Sequence, residues 1–197
     1  MTTEDKIKKT ALGLFLEKGF ERTSIREISV KAKINIALLN YYFRSKENLF
    51  NSIFSSLLGK YTPELNSILS SPLPIEEKIK LYVEEYIDIL LENPKLTYFV
   101  LSVLHRNPDK ITKMKIFQSL YNTGNFSKQF SEEVRKGNIK GTDPTQFFIN
   151  MLSLITFPFT IKQVIMEKNK MSEDTFKQFM QERKNVITEM LILTIKK

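Results

Sequence analysis

Apolar residues recur along the chain at helical rather than alternating spacing. In residues 3–18, for example, Ile7, Ala11 and Leu14 are three or four positions apart, as they are on one face of an α-helix. The same spacing returns in nearly every apolar run, and no run shows the strict alternation of a half-buried strand. The pattern therefore predicts an all-α protein of roughly nine helices.

Cap and stop signals divide the amino-terminal part into four short helices. Gly19 is placed to end the first helix. Ser24, three residues before Glu27, fits a capping box for the second helix. Asn35 and Ser45 can cap the third and fourth helices. The four predicted helices cover about residues 3–18, 24–33, 36–42 and 46–60.

Prolines and serines between residues 60 and 74 separate these helices from a longer helical region. We therefore predict two domains, a three-helix amino-terminal domain with a helix-turn-helix at 1–58 and a larger helical body at 59–197. Pro158 is expected to kink or break a helix that begins at Asp143-Pro144. The predicted helices of the body cover about 75–92, 95–106, 109–136 (bent or split near Gly124), 143–169 and 172–195.

The composition removes several classes of function. The 197 residues include no cysteine and one histidine, His105, which excludes disulfide scaffolds, thiolate metal sites and multi-histidine metal sites. The six glycines form no phosphate-binding loop. We therefore expect no catalytic residues, no metal and no cofactor, and the protein is not expected to be an enzyme.

The charge favours an anionic partner. Thirty Lys and Arg against 22 Asp and Glu give a net charge of +8, and residues 1–58 carry +4 of it. The start of the chain is polar, and no apolar stretch reaches the roughly 20 residues that span a bilayer. The expected protein is soluble and cytoplasmic, without a membrane partner.

The third predicted helix has an unusual outward surface. Leu39 and Phe43 fall on the side expected to pack against the other helices. The opposite side carries apolar, amide and phenol groups: Ile36, Ala37, Asn40 and Tyr41. Basic residues flank this helix: Arg26, Lys31, Lys33, Arg44 and Lys46. Such a surface suits the DNA major groove, where Asn pairs with adenine, apolar groups meet thymine methyls and Arg reads guanine.

In these residues the chain resembles the DNA-binding domain of the TetR (tetracycline-repressor-like) family of transcriptional regulators. The resemblance covers about residues 5–55, a quarter of the chain. Its motif positions are Gly19-Phe20, Thr23-Ser24-Ile25, Ile28, Ala32, Ile34, Leu39, Tyr42-Phe43, Lys46-Glu47 and Leu49. Three positions depart from the usual pattern: Lys33 replaces a glycine, Asn35 a serine and Asn40 a tyrosine.

The resemblance implies which residues meet DNA. Phosphate contacts are expected at Ser24, Asn35, Tyr42 and Lys46. Base readout is expected at Arg26, Ile36, Ala37, Asn40 and Tyr41. A solvated basic face is the ordinary alternative for charges of this kind, and only the motif favours DNA strongly.

The resemblance also implies an effector pocket and a dimer interface in the body. Candidate pocket residues are Tyr86, Tyr98, Phe99, Leu101, His105, Phe117, Tyr121, Phe148, Met151, Leu152 and Phe159. Candidate dimer residues, on the last two helices, are Leu154, Ile161, Ile165, Phe176, Phe179, Met180, Ile187, Met190 and Leu191. The alternative for most of these aromatic and apolar residues is the core of the body, and His105 can instead interact with a helix dipole.

The sequence therefore predicts a ligand-responsive transcriptional regulator, most simply a repressor. A homodimer would bind an inverted-repeat operator, and a hydrophobic small-molecule effector would release it. The alternative is an architectural or cell-division DNA-binding protein that has the same amino-terminal domain and no small-molecule effector. A membrane-surface protein is disfavoured because packing uses the apolar residues of the first four helices.

Overall fold

The computed structural model describes residues 2–94, 96–106 and 123–197, apart from the side chains of residues 104–106. This part of the chain forms ten helices and no strand, so the predicted all-α class and the approximate helix count are confirmed. The chain divides into two compact units, residues 1–60 and 61–197. The division falls inside the fourth helix, α4 (Lys46–Ser70), and each unit has its own buried residues.

Three helices and the first part of a fourth form the amino-terminal unit. α1 packs on α2, and α2 packs on α3. Buried side chains from all four helices fill its interior, and the rings of Phe15, Phe20 and Phe50 contact one another at 4.9–5.4 Å between centroids. The helices are α1 (Thr3–Lys18), α2 (Ile25–Lys31), α3 (Ile36–Phe43) and α4 (Lys46–Ser70).

Each of these helices begins at a side-chain cap. Thr2 forms a capping box with Asp5, and Ser24, Asn35 and Ser45 each accept a hydrogen bond from a backbone N–H of the following turn. Ser24 accepts from the Glu27 N–H as expected, but the Glu27 carboxylate pairs with Lys18 of α1. The caps explain why these helix starts agree with the prediction.

α4 extends about ten residues beyond its predicted end. Pro63 lies inside the helix, although proline removes a helical hydrogen bond and costs roughly 3 kcal/mol in a helix interior. Beyond it, Leu65 and Leu69 are buried in the core of the second unit. Burial of such side chains, about 1.5–3 kcal/mol each, offsets the cost of the proline.

Six helices and the end of α4 form the second unit, in which the last helix, α10 (Glu173–Ile195), packs most extensively against α5 (Ile75–Glu92). Its core combines aliphatic residues with aromatic rings from α5, α7 and α8, including Tyr82, Phe126, Phe130 and Phe148. The helices are α5 (Ile75–Glu92), α6 (Leu96–Arg106), α7 (Gly124–Lys136), α8 (Pro144–Thr160), α9 (Lys162–Lys168) and α10 (Glu173–Ile195).

The predicted break near Pro158 is present as a bend of 62° between α8 and α9. Pro158 has no N–H to donate to the Leu154 carbonyl four residues earlier, and Arg183 of α10 makes a long hydrogen bond of 3.5 Å to that oxygen. In the part of the chain that the structure describes, no single helix meets the length and hydropathy needed to cross a membrane; only this bent pair does so, by length and composition alone.

A buried lysine fixes the turn between α4 and α5. Lys78 is 1% exposed, and its ammonium donates to the Leu69 carbonyl at 3.0 Å and to Gln129 Oε1 at 2.5 Å. Gln129 Nε2 donates in turn to the Leu73 carbonyl at 2.9 Å. Burial lowers the pKa of the Lys78 ammonium. This Lys78–Gln129 pair joins the last turn of α4, the following turn and α7.

Candidate nucleic-acid interface

The turn between α2 and α3 closes around a left-handed lysine. The Ile34 N–H donates to the Ser29 carbonyl and the Lys33 N–H to the Val30 carbonyl, both at 3.0 Å. These two bonds form a Schellman motif, which requires a left-handed residue after the helix. Lys33 adopts it with φ of 53°, where the resembling motif has glycine. The turn therefore adopts this geometry with lysine in place of glycine.

α3 presents one buried side and one open side. Leu39 and Phe43 are buried, and Tyr41, on the opposite side, is 80% exposed. All five residues predicted to read bases are exposed in the structure: Arg26, Ile36, Ala37, Asn40 and Tyr41. The structure thus leaves every one of them accessible to a partner, four of them on α3.

Two of the predicted phosphate contacts cap helices and still offer donors. Ser24 Oγ accepts from the Glu27 N–H at 3.1 Å, and Asn35 Oδ1 accepts from the Ala37 N–H at 2.8 Å. These bonds use acceptor atoms, so the Ser24 hydroxyl hydrogen and the Asn35 amide hydrogens can donate. A phosphate oxygen accepts such bonds, and both side chains are exposed.

Lys46, a third predicted phosphate contact, is held within the amino-terminal unit. Its ammonium donates to the carbonyls of Phe20 and Thr23 at 3.0 Å each, and it lies 4.1 Å from the centroid of the Phe20 ring. The side chain therefore ties the start of α4 to the turn before α2. Because an ammonium has three N–H donors, these two hydrogen bonds do not use all of its donors.

The fourth predicted phosphate contact, Tyr42, is 41% exposed, and its ring packs edge-on against the Tyr41 ring with 5.6 Å between the ring centroids.

Ion pairs between α1 and α2 support the orientation of α2. Lys18 pairs with Glu27, and Lys31 with Glu17 at 3.3 Å. The hydrogen bond from Lys18 lowers the pKa of the Glu27 carboxyl.

Sequence reasoning missed two exposed residues beside this surface. Val30 on α2 is 70% exposed and Leu38 on α3 is 38% exposed. Arg44, one of the basic residues predicted to flank α3, ends this helix with φ of 61°. Val30 follows Arg26 by four positions and therefore shares its face of α2, a spacing that could have identified it from the sequence.

The predicted pocket residues do not share one environment. Phe148, Met151 and Phe159 are buried in the hydrophobic core, and Tyr86 and Leu152 pack against it. Phe99 is buried, Leu101 is half-buried and Tyr98 is mostly exposed. Phe117, Tyr121 and the side chain of His105 lie outside the described residues. Among the described residues, no group of three or more His, Asp or Glu could hold a metal ion.

Most of the predicted dimer residues are buried or partly buried in the interior of the second unit. Phe176, Met180, Ile187 and Leu191 belong to its core; Leu154, Ile165 and Phe179 pack against that core, and Ile161 is half-buried. Met190 alone among these candidates is exposed. Other large apolar side chains on the last three helices are open to solvent, between 49% and 66% exposed: Ile149, Phe157, Val164, Val186 and Leu193.

The family described as bacterial regulatory proteins of the tetR family matches residues 7–53. The chain is 30% identical over 179 residues to the Bacillus subtilis (strain 168) protein named Probable HTH-type transcriptional regulator YttP, a match that covers 85% of this chain and 82% of that protein. It is 39% identical over 59 residues to the HTH-type transcriptional repressor NicS of Pseudomonas putida, covering 30% of this chain and 28% of that protein.

The fold is also similar to solved structures of regulators. One is the transcriptional regulator FadR from Bacillus subtilis in complex with stearoyl-CoA, with a TM-score of 0.67 and 17% identity. The match covers 97% of this chain and 98% of that chain. The fold is thus shared over 97% of this chain, and the match includes the second unit.

Proposed function

Because the chain belongs to the TetR family of bacterial transcriptional regulators, we propose that it binds an inverted-repeat operator as a homodimer and represses transcription until a small molecule releases it. Membership of this family makes the chain a DNA-binding regulator and not an enzyme. A DNA target requires the compartment that contains the chromosome, so the proposed location is the cytoplasm.

The proposal depends above all on the exposure of the residues expected to meet DNA. Arg26 on α2 and Asn40 and Tyr41 on α3 are exposed to solvent, whereas the other side of α3 is buried. Ser24 and Asn35 cap α2 and α3 through acceptor atoms and offer donors, which are the groups that bind phosphate. A sequence-specific DNA-binding protein needs some side chains that contact bases and others that bind phosphates and fix its position on the duplex. In this proposal α3 supplies the first kind and the helix starts supply the second.

The homodimer is supported by the apolar side chains exposed on α8, α9 and α10. Val186, Met190 and Leu193 follow one another at helical spacing and form a stripe along α10. Large exposed apolar patches on soluble domains mark interaction surfaces. A two-fold dimer would place two copies of α3 about one DNA turn (34–36 Å), or a multiple of it, apart.

The effector is proposed to be hydrophobic and to carry an acyl chain. The FadR structure contains stearoyl-CoA, and the second unit of this chain is rich in aromatic and aliphatic residues. An effector changes operator affinity only through its different affinities for two conformations of the protein. α4 contributes residues to both units, so a shift of this helix would link the effector to the DNA-binding helices.

Two substitutions test the interface. Asn40→Ala should relax the preference at one base pair and cost about 1–3 kcal/mol there, if the amide makes a bidentate bond to adenine. Ser24→Ala should weaken binding to all sequences alike, because it removes a phosphate contact. Quantitative binding to a set of single-base operator variants separates the two. Identical behaviour of both variants across that set would contradict the proposed division of roles.

Effector release is tested on the protein–operator complex with stearoyl-CoA and with coenzyme A alone. Release by the acylated compound at concentrations where coenzyme A has no effect would support an acyl-chain effector. Unchanged operator affinity with both compounds, and with other hydrophobic small molecules, would favour the architectural alternative instead.

A further inference from the structure

The open side of α3 is an uncharged, mostly apolar surface. The helix reads Ile-Ala-Leu-Leu-Asn-Tyr-Tyr-Phe and has no charged side chain. With Leu39 and Phe43 buried, the exposed residues that share the side of Tyr41 and Asn40 form what we call the reading arc. The reading arc consists of Ile36, Ala37, Asn40 and Tyr41.

The hydrogen-bonding capacity of this arc is small. Asn40 has an amide that can pair with adenine N6 and N7. The other amide nearby, on Asn35, is held at the start of α3 by the cap bond that its oxygen accepts from the Ala37 N–H at 2.8 Å, and it lies outside the reading arc. Tyr41 adds one hydroxyl group, and Ile36 and Ala37 can discriminate between bases only by apolar contact.

Apolar contact in the major groove has one principal target. The edges of A, G and C present hydrogen-bonding groups there, whereas T adds a C5-methyl group. Ile36, 38% exposed, and Ala37 both present methyl groups. They can gain free energy by covering thymine methyls, and no comparable gain is available at a G·C pair.

Positive charge lies beyond the ends of α3 rather than on it. Lys33 precedes the helix and Arg44 follows it, and both are exposed. A helix of eight residues is about 12 Å long, close to the width of the major groove. This arrangement places cations where the phosphate walls of the groove would lie and an uncharged surface where the bases would lie, which favours duplex DNA as the occupant.

We propose that each operator half-site has an A·T-rich centre that is recognised through thymine methyl groups by Ile36 and Ala37. Asn40 reads an adenine within this centre, and Arg26, on α2, reads a guanine at its edge. The inference rests on the proposed function, since it names the DNA sequence class that the same interface reads.

The test replaces the thymines of a selected operator by deoxyuracil, one position at a time, at fixed salt. Deoxyuracil keeps the hydrogen-bonding edge of thymine and lacks only the methyl group. Loss of one buried methyl group should weaken binding about fourfold. The expected result is a loss of this size at two or more positions near the centre of each half-site.

A double-mutant cycle assigns the methyl contact. In Ile36→Ala the effect of deoxyuracil should disappear at the contacted position. Leu38→Ala is the matched control, because Leu38 has the same 38% exposure and lies two residues along α3, about 200° around the helix. In that variant the deoxyuracil effect should persist. Each variant is compared with the wild type on the same pair of operators. Effects of deoxyuracil on DNA shape cancel in this comparison, because they are the same for the variant and the wild type.

Two results would overturn the inference while leaving the proposed function intact. One is a selected operator with G·C-rich half-site centres; the other is specific binding that no deoxyuracil substitution weakens. A deoxyuracil effect that survives Ile36→Ala and vanishes in Leu38→Ala would also overturn the assignment to Ile36. Failure to obtain any preferred sequence would instead contradict the proposed function itself.

Discussion

Lys33 occupies a backbone position that glycine fills at least cost. With φ of 53° it closes the turn between α2 and α3, and a left-handed conformation costs roughly 1–2 kcal/mol for a residue with a Cβ atom. The residue also places a cation directly before α3. We therefore expect the Lys33 side chain to strengthen DNA binding and its backbone conformation to lower stability, as two separable effects.

Lys33→Gly should make these two effects visible together. We expect the free energy of unfolding to rise by about 1 kcal/mol, because the strain is relieved. Operator affinity should fall, and its dependence on log salt should become shallower by about 0.9, because one phosphate contact is lost. Denaturant unfolding and binding at several salt concentrations measure both quantities.

Lys170→Gly is the control for this experiment, since Lys170 also has φ of 53° and lies in the second unit. It should gain stability without changing the salt dependence. A Lys33→Gly protein that keeps the full salt dependence would contradict a phosphate contact at Lys33.

Lys46 illustrates what a sequence motif cannot specify. The motif predicts a phosphate contact, and the structure adds hydrogen bonds to the carbonyls of Phe20 and Thr23, which are 26 and 23 residues earlier in the chain. Those partners depend on how α1, α2 and α4 pack, so local spacing holds no signal for them. The phosphate contact itself remains a prediction.

Lys46→Met should therefore lower stability even without DNA. It removes the Lys46 donor from the partly buried Thr23 carbonyl and one of the two donors of the Phe20 carbonyl, which still accepts from the Thr23 N–H, at a cost of about 1–3 kcal/mol. Thermal unfolding of the free protein measures this, with Lys9→Met, at an exposed lysine of α1, as the control. Equal stability of the two variants would contradict the tie between α4 and the turn before α2.

At the scale of helices, the sequence predicts starts better than ends. α1, α2 and α3 begin at or within a residue of their predicted starts, because Thr2, Ser24 and Asn35 cap them through local hydrogen bonds. The end of α4 depends on burial of Leu65 and Leu69 in the second unit. That non-local gain overrides Pro63, a strong local stop signal.

Burial of the Lys78 ammonium predicts that the free energy of unfolding depends on pH. The folded protein lowers the pKa of Lys78 below 10.5, so the unfolded chain binds this proton more strongly. The free energy of unfolding should then gain a contribution as pH rises from the lowered pKa toward 10.5. Denaturant unfolding of wild type and Lys78→Met between neutral pH and that range should show wild type gaining stability relative to the variant.

The neighbouring Lys80 is exposed, and Lys80→Met controls for titration of the remaining lysines and tyrosines. Wild type should keep a constant stability difference from Lys80→Met across this range. A constant difference from Lys78→Met as well would show that burial of the Lys78 ammonium carries no penalty.

For the molecule as a whole, the proposed dimer surface is the part that the sequence predicts least well. α10 has two apolar stripes, one through Met180 and Ile187 and another through Val186 and Leu193. Helical periodicity identifies both but does not state which one faces the core. The structure buries the first and exposes the second.

Val186→Glu should weaken the proposed homodimer. A carboxylate in an apolar interface is costly to desolvate, so sedimentation at micromolar concentration should show monomer, and affinity for a full inverted repeat should fall toward that for a half-site. Asn185→Glu adds the same charge at the adjacent exposed position and should remain dimeric. Dimers of equal strength in both variants would place the interface elsewhere.

A dimeric, sequence-specific DNA-binding protein should select its own operator from a random pool of DNA duplexes. With the purified protein at a stated near-physiological salt concentration, we expect to recover an inverted repeat whose half-sites are separated by about one DNA turn or a multiple of it. Recovery of no preferred sequence, with binding that vanishes as salt rises, would contradict both the dimer and the sequence-specific interface.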